Sequence, residues 1–413
     1  MLILHSCKGS QHACWGGGAK LIKLVTIQQS LLARWAVIGV VVLLCAPWVM
    51  PSNKFYHQLI IVFLWLPALL ALFRRDFRER LMQLEFLLFL IFCLWSLLVL
   101  LLQGAGDPLS KAKVPFYVAL TLIGVMLAAR DARWSLENIL CFCVLAGGVG
   151  SAFSMIYFYF GTEYLPGQRL IAIGLWDKAI MAAHAVGALI MLGVFLVAGC
   201  RLRFWLFILL MFALLAELLF IGLNQTRGVW LSLVAALFFL VVALPSRLGW
   251  FLLGSVLVGV AGLILFEPQL LLQRGLSYRP TLWAGGLQLF SENWLFGLGF
   301  NSYEIAVPAI NETFKHPHNL FLDIAVRLGL PGLTLFCLLW LATLRRAWLS
   351  RRAMLGRALM ALWAFSSVAL LTDGIGLWLK PNADWLITWL PIALGLVLAE
   401  RGARLEVQEI CKA

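Results

Sequence analysis

The amino-acid sequence predicts an all-α, polytopic membrane protein with about twelve transmembrane helices and one long loop on the outer side. Three observations predict this fold class. The 413 residues are 63% hydrophobic and only 12% charged, whereas a soluble domain carries about twice that charged fraction. Apolar runs of roughly 20 residues, the length that crosses a bilayer as a helix, recur along nearly the whole chain. Arginine-rich and weakly charged segments alternate between these runs. A water-soluble core is thereby excluded.

Each apolar run is assigned to one predicted span within a single transmembrane domain, residues 31–400. The predicted spans are 31–50, 57–73, 83–103, 114–129, 136–160, 178–199, 204–223, 228–245, 248–266, 319–344, 354–378 and 384–400. Residues 1–30 are predicted to be a poorly ordered cytoplasmic N-terminal lead. They lack a short apolar core followed by a small-residue cleavage site, so a cleaved signal peptide is not expected. Residues 401–413 are predicted to be a cytoplasmic tail.

Basic residues in the short loops predict the orientation of the spans. Arginine is dense in one alternating set of loops, namely 74–80, 130–133, 201–203, 245–247 and 345–357. Short cytoplasmic loops carry the excess of lysine and arginine, so these loops and both termini are predicted to be cytoplasmic. The net charge of +13 is then explained by anchoring at anionic headgroups and not by nucleic-acid binding.

One outer segment, residues 267–318, is far longer than the other outer loops. It contains the sequence QRGLSYRPTLWAGGLQLFSENWLFGLGFNSY at 273–303. Loops longer than about fifteen residues are usually functional or disordered, and a segment this rich in leucine, phenylalanine and tryptophan is unlike a disordered one. We expect short helices here that lie on the membrane surface or cap a cavity.

Arg227 lies at the start of a predicted span in the sequence IGLNQTRGVWLSLV, beside Gly228. A helix N-terminus offers free backbone N–H groups and a favourable dipole for an anion, and arginine adds a bidentate donor that matches phosphate. The alternative interpretation is an arginine that reaches from the span end to the headgroup interface.

Arg279 and Trp283 in YRPTLWAGG are four residues apart, on one side of a helix that Pro280 would open. They are candidate ligands for a bound substrate; the alternative is an interfacial tryptophan beside a surface arginine. Arg169, in PGQRLIAIGLWDKA, is a further candidate for substrate binding, although a role at the headgroup interface explains it equally well.

His316 and His318 flank a proline in FKHPHNLFLDIAVRLGLPG, at the start of another predicted span. Asn319 is predicted to cap the helix that follows. The positive end of that helix dipole disfavours an imidazolium at His318, so the ring is predicted to be neutral, as a general base requires. The alternative is a polar residue at the interface without a catalytic role.

The same stretch carries two further local signals. Asp323 and Arg327 are spaced i, i+4 and are predicted to form an ion pair. Gly329 and Gly332, with a proline between them, are predicted to kink the helix or allow close packing.

Neither a cofactor nor a metal ion is predicted. The sequence contains no Walker-type phosphate loop, HExxH motif, nucleophile elbow or paired outer carboxylates of the DxD type. Neither cysteines nor a cluster of carboxylates accompanies the two histidines, so the pair is not interpreted as a metal site.

With these motifs in place, the sequence resembles the O-antigen ligase family over nearly all of its length. TRG at 226–228 is similar to the family's arginine at a span edge, YRPTLW at 278–283 to its R-x-x-x-W element, and HPHNLFLDIAVRLGLPG at 316–332 to its HN-x-x-L and G-x-x-G signature. The resemblance implies a metal-independent, GT-C-type membrane glycosyltransferase. Arg169 is a weaker match, and His316 has no firm counterpart in the family pattern. Both are nevertheless predicted to bind substrate, together with Asn319 and Trp283.

The resemblance also implies roles for the matched residues. The donor would be undecaprenyl diphosphate carrying O-antigen polysaccharide, and the acceptor a sugar hydroxyl of lipid A–core oligosaccharide, at the periplasmic face of a Gram-negative inner membrane. The product would be lipopolysaccharide. Arg227 and Arg279 would bind the diphosphate, His318 would act as general base, and the sugar would be transferred with inversion.

Three alternatives remain open from the sequence. O-antigen polymerases and protein O-oligosaccharyltransferases share the histidine signature, and the short C-terminal tail favours the ligase over the latter. A transporter of polyprenyl-linked glycan would place charged groups near mid-membrane, whereas span interiors here are almost free of charge, with Glu217 the main exception.

Overall fold

The computed structural model describes residues 16–161, 168–199, 204–266, 278–374 and 376–410, and helices dominate this part of the chain. In chain order they are α1 (Gly16–Cys45), α2 (Asn53–Ile60), α3 (Leu66–Leu72), α4 (Arg75–Glu79), α5 (Leu84–Gln103), α6 (Pro108–Ala128), α7 (Leu136–Phe160), α8 (Ala179–Gly199), α9 (Phe204–Asn224), α10 (Arg227–Ala243), α11 (Arg247–Phe266), α12 (Arg279–Glu292), α13 (Leu320–Leu349), α14 (Met354–Thr372) and α15 (Trp385–Ile410). A 3₁₀ turn follows α1, and a π-helical turn joins α2 to α3.

Ten helices within the described residues are long and apolar enough to cross a membrane, and two shorter apolar helices cover Arg227–Ala243 and Arg247–Gly262. Large apolar side chains cover much of the surface; Phe212 and Phe251, for example, are 66% and 70% exposed. An apolar surface of this extent marks contact with lipid. The prediction of an all-α, multi-pass membrane protein is confirmed.

Three helix ends differ from the predicted bounds of the spans. Hydropathy depends on the polarity of the side chains, whereas a helix ends where its backbone hydrogen bonds end. Helix α1 begins at Gly16, so residues 16–30 of the predicted lead are helical, while residues 1–15 lie outside the described part. The predicted span 354–378 ends at Thr372, where Asp373 adopts an extended conformation. Helix α15 continues through Ile410, into the predicted tail.

The described part of the long outer segment contains one helix and a small β-hairpin, whereas only short helices were predicted. Residues 267–277 lie outside the described part; α12 follows, and then strand β1 (Ile305–Val307) pairs antiparallel with β2 (Glu312–Phe314). A separate apolar cluster is formed by Leu282 of α12, Ile305 and Val307 of β1, and Leu322 and Val326 of α13. This cluster attaches the segment to the first turns of α13.

A kink in α13 at Gly329 receives the backbone of the long outer segment. Gly329 has φ +66°, and a Cβ there would lie 2.2 Å from the carbonyl oxygen of Leu295, so glycine is required. The kink frees carbonyl groups of the preceding turn. The N–H groups of Leu298 and Gly299 donate to the carbonyls of Val326 and Arg327, at 2.8 and 2.9 Å.

A third freed carbonyl, that of Leu328, accepts a hydrogen bond from Trp95 Nε1 on α5 at 2.8 Å. A Cβ on Gly332 would lie 3.2 Å from the same Trp95 Nε1. The two predicted structural glycines therefore let the outer segment and α5 replace the helix hydrogen bonds lost at the kink.

Helix α14 lies at the centre of the bundle, packed against α8, α10, α13 and α15. Its C-terminal end therefore reaches the middle of the predicted outer end of the bundle. At the opposite, predicted cytoplasmic end, arginines pair with carboxylates of other helices: Arg346 with Glu85, and Arg130 with Glu400, each at 2.9 Å.

Candidate active site

Three of the predicted site residues lie at the starts of three helices. Arg227 is the first residue of α10, Arg279 is the first residue of α12, and His318 immediately precedes Asn319, the N-cap of α13. Each start is preceded by a non-glycine residue in the left-handed region: Gln225 and Tyr278 at φ +56°, and His318 itself at φ +51°. Such residues are uncommon, and they turn the chain sharply into the helix.

Asp373 fixes the orientation of the His318 imidazole. His318 Nδ1 lies 2.8 Å from Asp373 Oδ1. A carboxylate accepts hydrogen bonds, so Nδ1 carries the proton, and Nε2 of the neutral ring is left as the acceptor. Burial alone would raise the pKa of Asp373, but the hydrogen bond from His318 and the charges of His184, His318 and Arg279 outweigh it and lower that pKa. Asp373 is therefore ionised at neutral pH.

Arg279 contacts the same end of α14. Its Nε donates to the carbonyl oxygen of Thr372 at 2.6 Å, and its Nη2 lies 3.9 Å from Asp373 Oδ2. The last carbonyls of a helix carry partial negative charge and no intrahelical partner. The end of α14 thus holds the Arg279 guanidinium directly and the His318 ring through Asp373.

Arg227 and Arg279 line a single cavity of about 450 Å³, together with Gly228, Leu231, Pro280, Trp283 and Thr372. A Cβ on Gly228 would lie 3.0 Å from Thr372 Oγ1, so this glycine lets α10 approach α14 closely. The buried Nε1 of Trp283 has no hydrogen-bond partner within the described residues. Two cations and a tryptophan with an unsatisfied N–H donor therefore line a space that suits an anion.

Comparison with known proteins agrees with this geometry. Residues 210–337 match the family model described as O-Antigen ligase, and this range contains all three helix starts. A protein of Pseudomonas aeruginosa described as O-antigen ligase is 27% identical over 378 residues, which cover 88% of this chain and 90% of that protein. Both comparisons show that the chain is similar to O-antigen ligases.

Arg169 contacts the turn that carries Arg227. Its Nε donates to the carbonyl oxygen of Asn224 at 3.1 Å, and its guanidinium also contacts the Thr226 hydroxyl. The Asn224 amide in turn donates to the carbonyl of Leu170 at 2.7 Å. Arg169 thus braces the junction between α9 and α10; its role in substrate binding remains a prediction.

His316 lies against His318, with ring centroids 4.1 Å apart. Its Nδ1 is buried without a hydrogen-bond partner in the described part of the chain. Burial, followed by repulsion from His318, lowers the pKa of His316 below its ordinary value. A substrate contact by His316 remains a prediction.

Two local predictions around the histidines are confirmed. Asn319 Oδ1 accepts a hydrogen bond from the N–H of Leu322 at 3.1 Å, which makes it the cap of α13. Arg327 Nε donates to Asp323 at 3.0 Å, and the buried Asp323 also accepts from Tyr303 at 2.6 Å.

Sequence analysis missed Asp373, because it placed that residue inside the predicted span 354–378. A signal was present: in LLTDGIG the glycines at 374 and 376 follow the apolar run directly, which is typical of a helix C-terminus. It also missed His184 on α8, whose Nδ1 lies 3.0 Å from the buried Asp384 and whose charge acts on Asp373.

Proposed function

We propose that this protein transfers O-antigen polysaccharide from undecaprenyl diphosphate to a sugar hydroxyl of lipid A–core oligosaccharide. One observation carries the proposal: the His318–Asp373 pair and the two cavity arginines converge on the end of α14, at Thr372 and Asp373. The similarity to the O-antigen ligase of Pseudomonas aeruginosa supports the ligase reaction.

The diphosphate of the donor would bind in the arginine cavity, the space lined by Arg227 and Arg279. Each guanidinium can donate two parallel hydrogen bonds to phosphate oxygens. The starts of α10 and α12 add free backbone N–H groups and the positive ends of two helix dipoles. Negative charge grows on the diphosphate as it leaves, and each preorganised donor can stabilise that charge by about 3 kcal/mol.

His318 would act as the general base. Its Nε2 takes the proton from the acceptor hydroxyl as the oxygen attacks the anomeric carbon, and the bond from that carbon to the diphosphate oxygen breaks with its electron pair. Asp373 stabilises the imidazolium that forms, as the orienting carboxylate does in other base–carboxylate pairs. General base catalysis contributes about 10²–10⁴ in rate. With one base and no enzyme nucleophile, the sugar is transferred with inversion.

The lipid tail of the donor would leave the cavity beside α10. Leu231 lines the cavity and is 55% exposed on the helix surface, so an apolar chain can pass from the cavity into the surrounding lipid. Trp283 and Pro280 supply the apolar wall next to the diphosphate.

For the topology, we propose a single transmembrane domain with both termini in the cytoplasm and the arginine cavity facing the periplasm. The separation of arginine–carboxylate pairs at one end from the His318 site at the other supports this orientation. Single cysteines introduced at Ser302 and at Ser350 test it: an impermeant thiol reagent added to intact cells with a permeable outer membrane should label the first and spare the second.

The reaction is tested with purified protein in nanodiscs, supplied with lipid-linked glycan and lipid A–core. Glycan on the core supports the ligase; only longer lipid-linked chains would instead support a polymerase. His318→Ala should abolish transfer while donor binding persists, and normal transfer by this variant would eliminate the base assignment. Because the arginines neutralise the leaving group, a chelator of divalent cations should leave the rate unchanged.

A further inference from the structure

A second cavity of about 510 Å³ opens at the outer end of the bundle, and its cations have no role in the reaction as described so far. We define the lysine cavity by the three cations that line it, Lys111 at the start of α6, Lys315 and Arg327; Asp107 and Asp323 also line it, and Asp323 pairs with Arg327 at 3.0 Å. Phe300, Leu377 and Trp378 form an apolar and aromatic wall. Such a mixture, mostly apolar with a few charged groups, is typical of small-molecule and saccharide sites.

The walls of the lysine cavity are held in place by hydrogen bonds. Arg327 Nη1 donates to the carbonyl oxygen of Asn301 at 3.2 Å, and Asn301 Nδ2 donates to the carbonyl of Gln103 at the end of α5 at 3.1 Å. The Arg327 guanidinium also lies over the Tyr303 ring, 4.8 Å from its centroid. The cavity is therefore preorganised, which lowers the entropy lost on binding.

Trp378 supplies an independent sign that a ligand binds here. This side chain lines the cavity, is only 6% exposed, and stacks against Phe92 and Trp389. Its buried Nε1 has no hydrogen-bond partner within the described residues. A buried N–H without an acceptor is costly, and this one belongs to a residue of the cavity wall.

The histidine pair has neighbours in the lining of both cavities. The arginine cavity includes Thr372, whose neighbour Asp373 binds His318. The lysine cavity includes Lys315, Asp323 and Arg327, and the charges of the last two act on His316. In a direct displacement, the attacking oxygen and the leaving diphosphate lie on opposite sides of the anomeric carbon. The acceptor should therefore approach the base from the side away from the arginine cavity.

From this arrangement we infer that the lysine cavity binds the acceptor, through an anionic, phosphate-bearing saccharide next to the hydroxyl that attacks. The inference rests on the proposed ligase function, and it adds a binding site for the acceptor. Lys111 and Lys315 would contact the phosphate, and the Trp378 N–H would donate to the saccharide.

The experiment measures binding of phosphorylated core oligosaccharide, without its lipid, to the full-length protein in phosphatidylcholine nanodiscs. Replacing Lys111→Gln should raise Kd about tenfold and adding Lys315→Gln should raise it about tenfold again, because each removes a charge-assisted hydrogen bond. Trp378→Phe keeps the ring and should raise Kd by a factor of about 3. Lys113→Gln is the matched control, since Lys113 is exposed on α6 outside the cavity lining, and it should bind like the wild type.

Two further measurements separate the possible ligands. Phosphatase-treated core should bind the wild type as weakly as the double lysine variant binds the phosphorylated core. Adding phosphatidylglycerol to the nanodisc should not displace the core; displacement would show that the cavity takes a lipid headgroup and would overturn the inference. An unchanged Kd in the double lysine variant would overturn the inference as well.

Failure of the inference is distinguishable from failure of the ligase function. Lysine-dependent binding with no transfer in the donor assay would refute the ligase reaction and leave the saccharide site intact. If transfer occurs and the acceptor KM is unchanged by Lys111→Gln and Lys315→Gln, the lysine cavity is not the acceptor site. The ligase reaction would still stand.

Discussion

Arginines at the two ends of the bundle differ in where they sit on their helices. At the predicted cytoplasmic end, Arg346 lies in the last turn of α13 and Arg130 just after α6, where the helix dipole favours a cation, and each pairs with a carboxylate. At the outer end, Arg227 and Arg279 are the first residues of α10 and α12, where the dipole disfavours a cation.

The comparison shows that the outer arginines are poorly placed for stability. A cation beside the free N–H groups of a helix start adds to their positive potential, which costs electrostatic free energy. An anionic ligand that binds there removes this cost. The inner arginines lie closer to a carboxylate, at 2.9 Å, than Arg279 does to Asp373, at 3.9 Å. Location on the helix thus distinguishes the arginines that we propose bind substrate from those paired at the inner end.

The largest effect should come from Asp373→Asn at the outer end. The amide no longer fixes the His318 tautomer or stabilises the imidazolium, so kcat should fall about 10³–10⁴-fold, as for the orienting carboxylate of a catalytic triad. Transfer kinetics with purified variants measure this, and donor KM should change little. Glu292→Gln, an exposed carboxylate at the end of α12, serves as the control. A full rate for Asp373→Asn would show that the hydrogen bond to His318 is only structural.

The next largest effect should come from conservative substitutions of arginine, which should lower the rate at the outer end only. Arg227→Lys and Arg279→Lys keep the charge but lose the bidentate donor, so each should lower kcat/KM for the donor about 10²-fold. Arg346→Lys, made at the inner end, should leave the rate unchanged. Equal effects at both ends would contradict the distinction drawn here.

Removing a charge at the inner end should instead cost stability. Arg346→Ala leaves Glu85, which is 1% exposed, without its partner at 2.9 Å. Breaking such a buried pair costs about 3 kcal/mol, so the thermal midpoint in detergent should fall. The turnover number of the protein that remains folded should match the wild type; a loss of turnover would tie the inner end to the reaction.

The sequence predicted the local features of the outer end but not the contacts between residues far apart in the chain. The helix starts at Arg227 and Arg279, the Asn319 cap and the Asp323–Arg327 pair each depend on residues within a few positions, so spacing rules predicted them. The His318–Asp373 contact joins residues 55 positions apart. It depends on how α14 packs against its neighbours, which periodicity does not report.

The same reasoning explains the other omissions. Trp95 donates to the carbonyl of Leu328 across 233 positions, and the lysine cavity combines α6, the long outer segment, α13 and the residues after α14. The hairpin strands of three residues each are too short for an alternating pattern to predict. Composition and periodicity therefore gave the membrane fold, while the packing of distant segments completes the candidate site.

The smallest expected effect concerns the dependence of stability on pH at the outer end. The folded protein lowers the pKa of His316, first through burial and then through His318, against the opposing charges of Asp373 and Asp323. As pH falls below the ordinary value of 6.5, the unfolded chain therefore takes up this proton before the folded one, and stability decreases. His316→Asn removes the group, so its thermal midpoint should fall less between pH 7 and pH 5 than that of the wild type. Melting curves across this range measure the difference, and parallel curves would show that His316 titrates alike in the folded and unfolded chains.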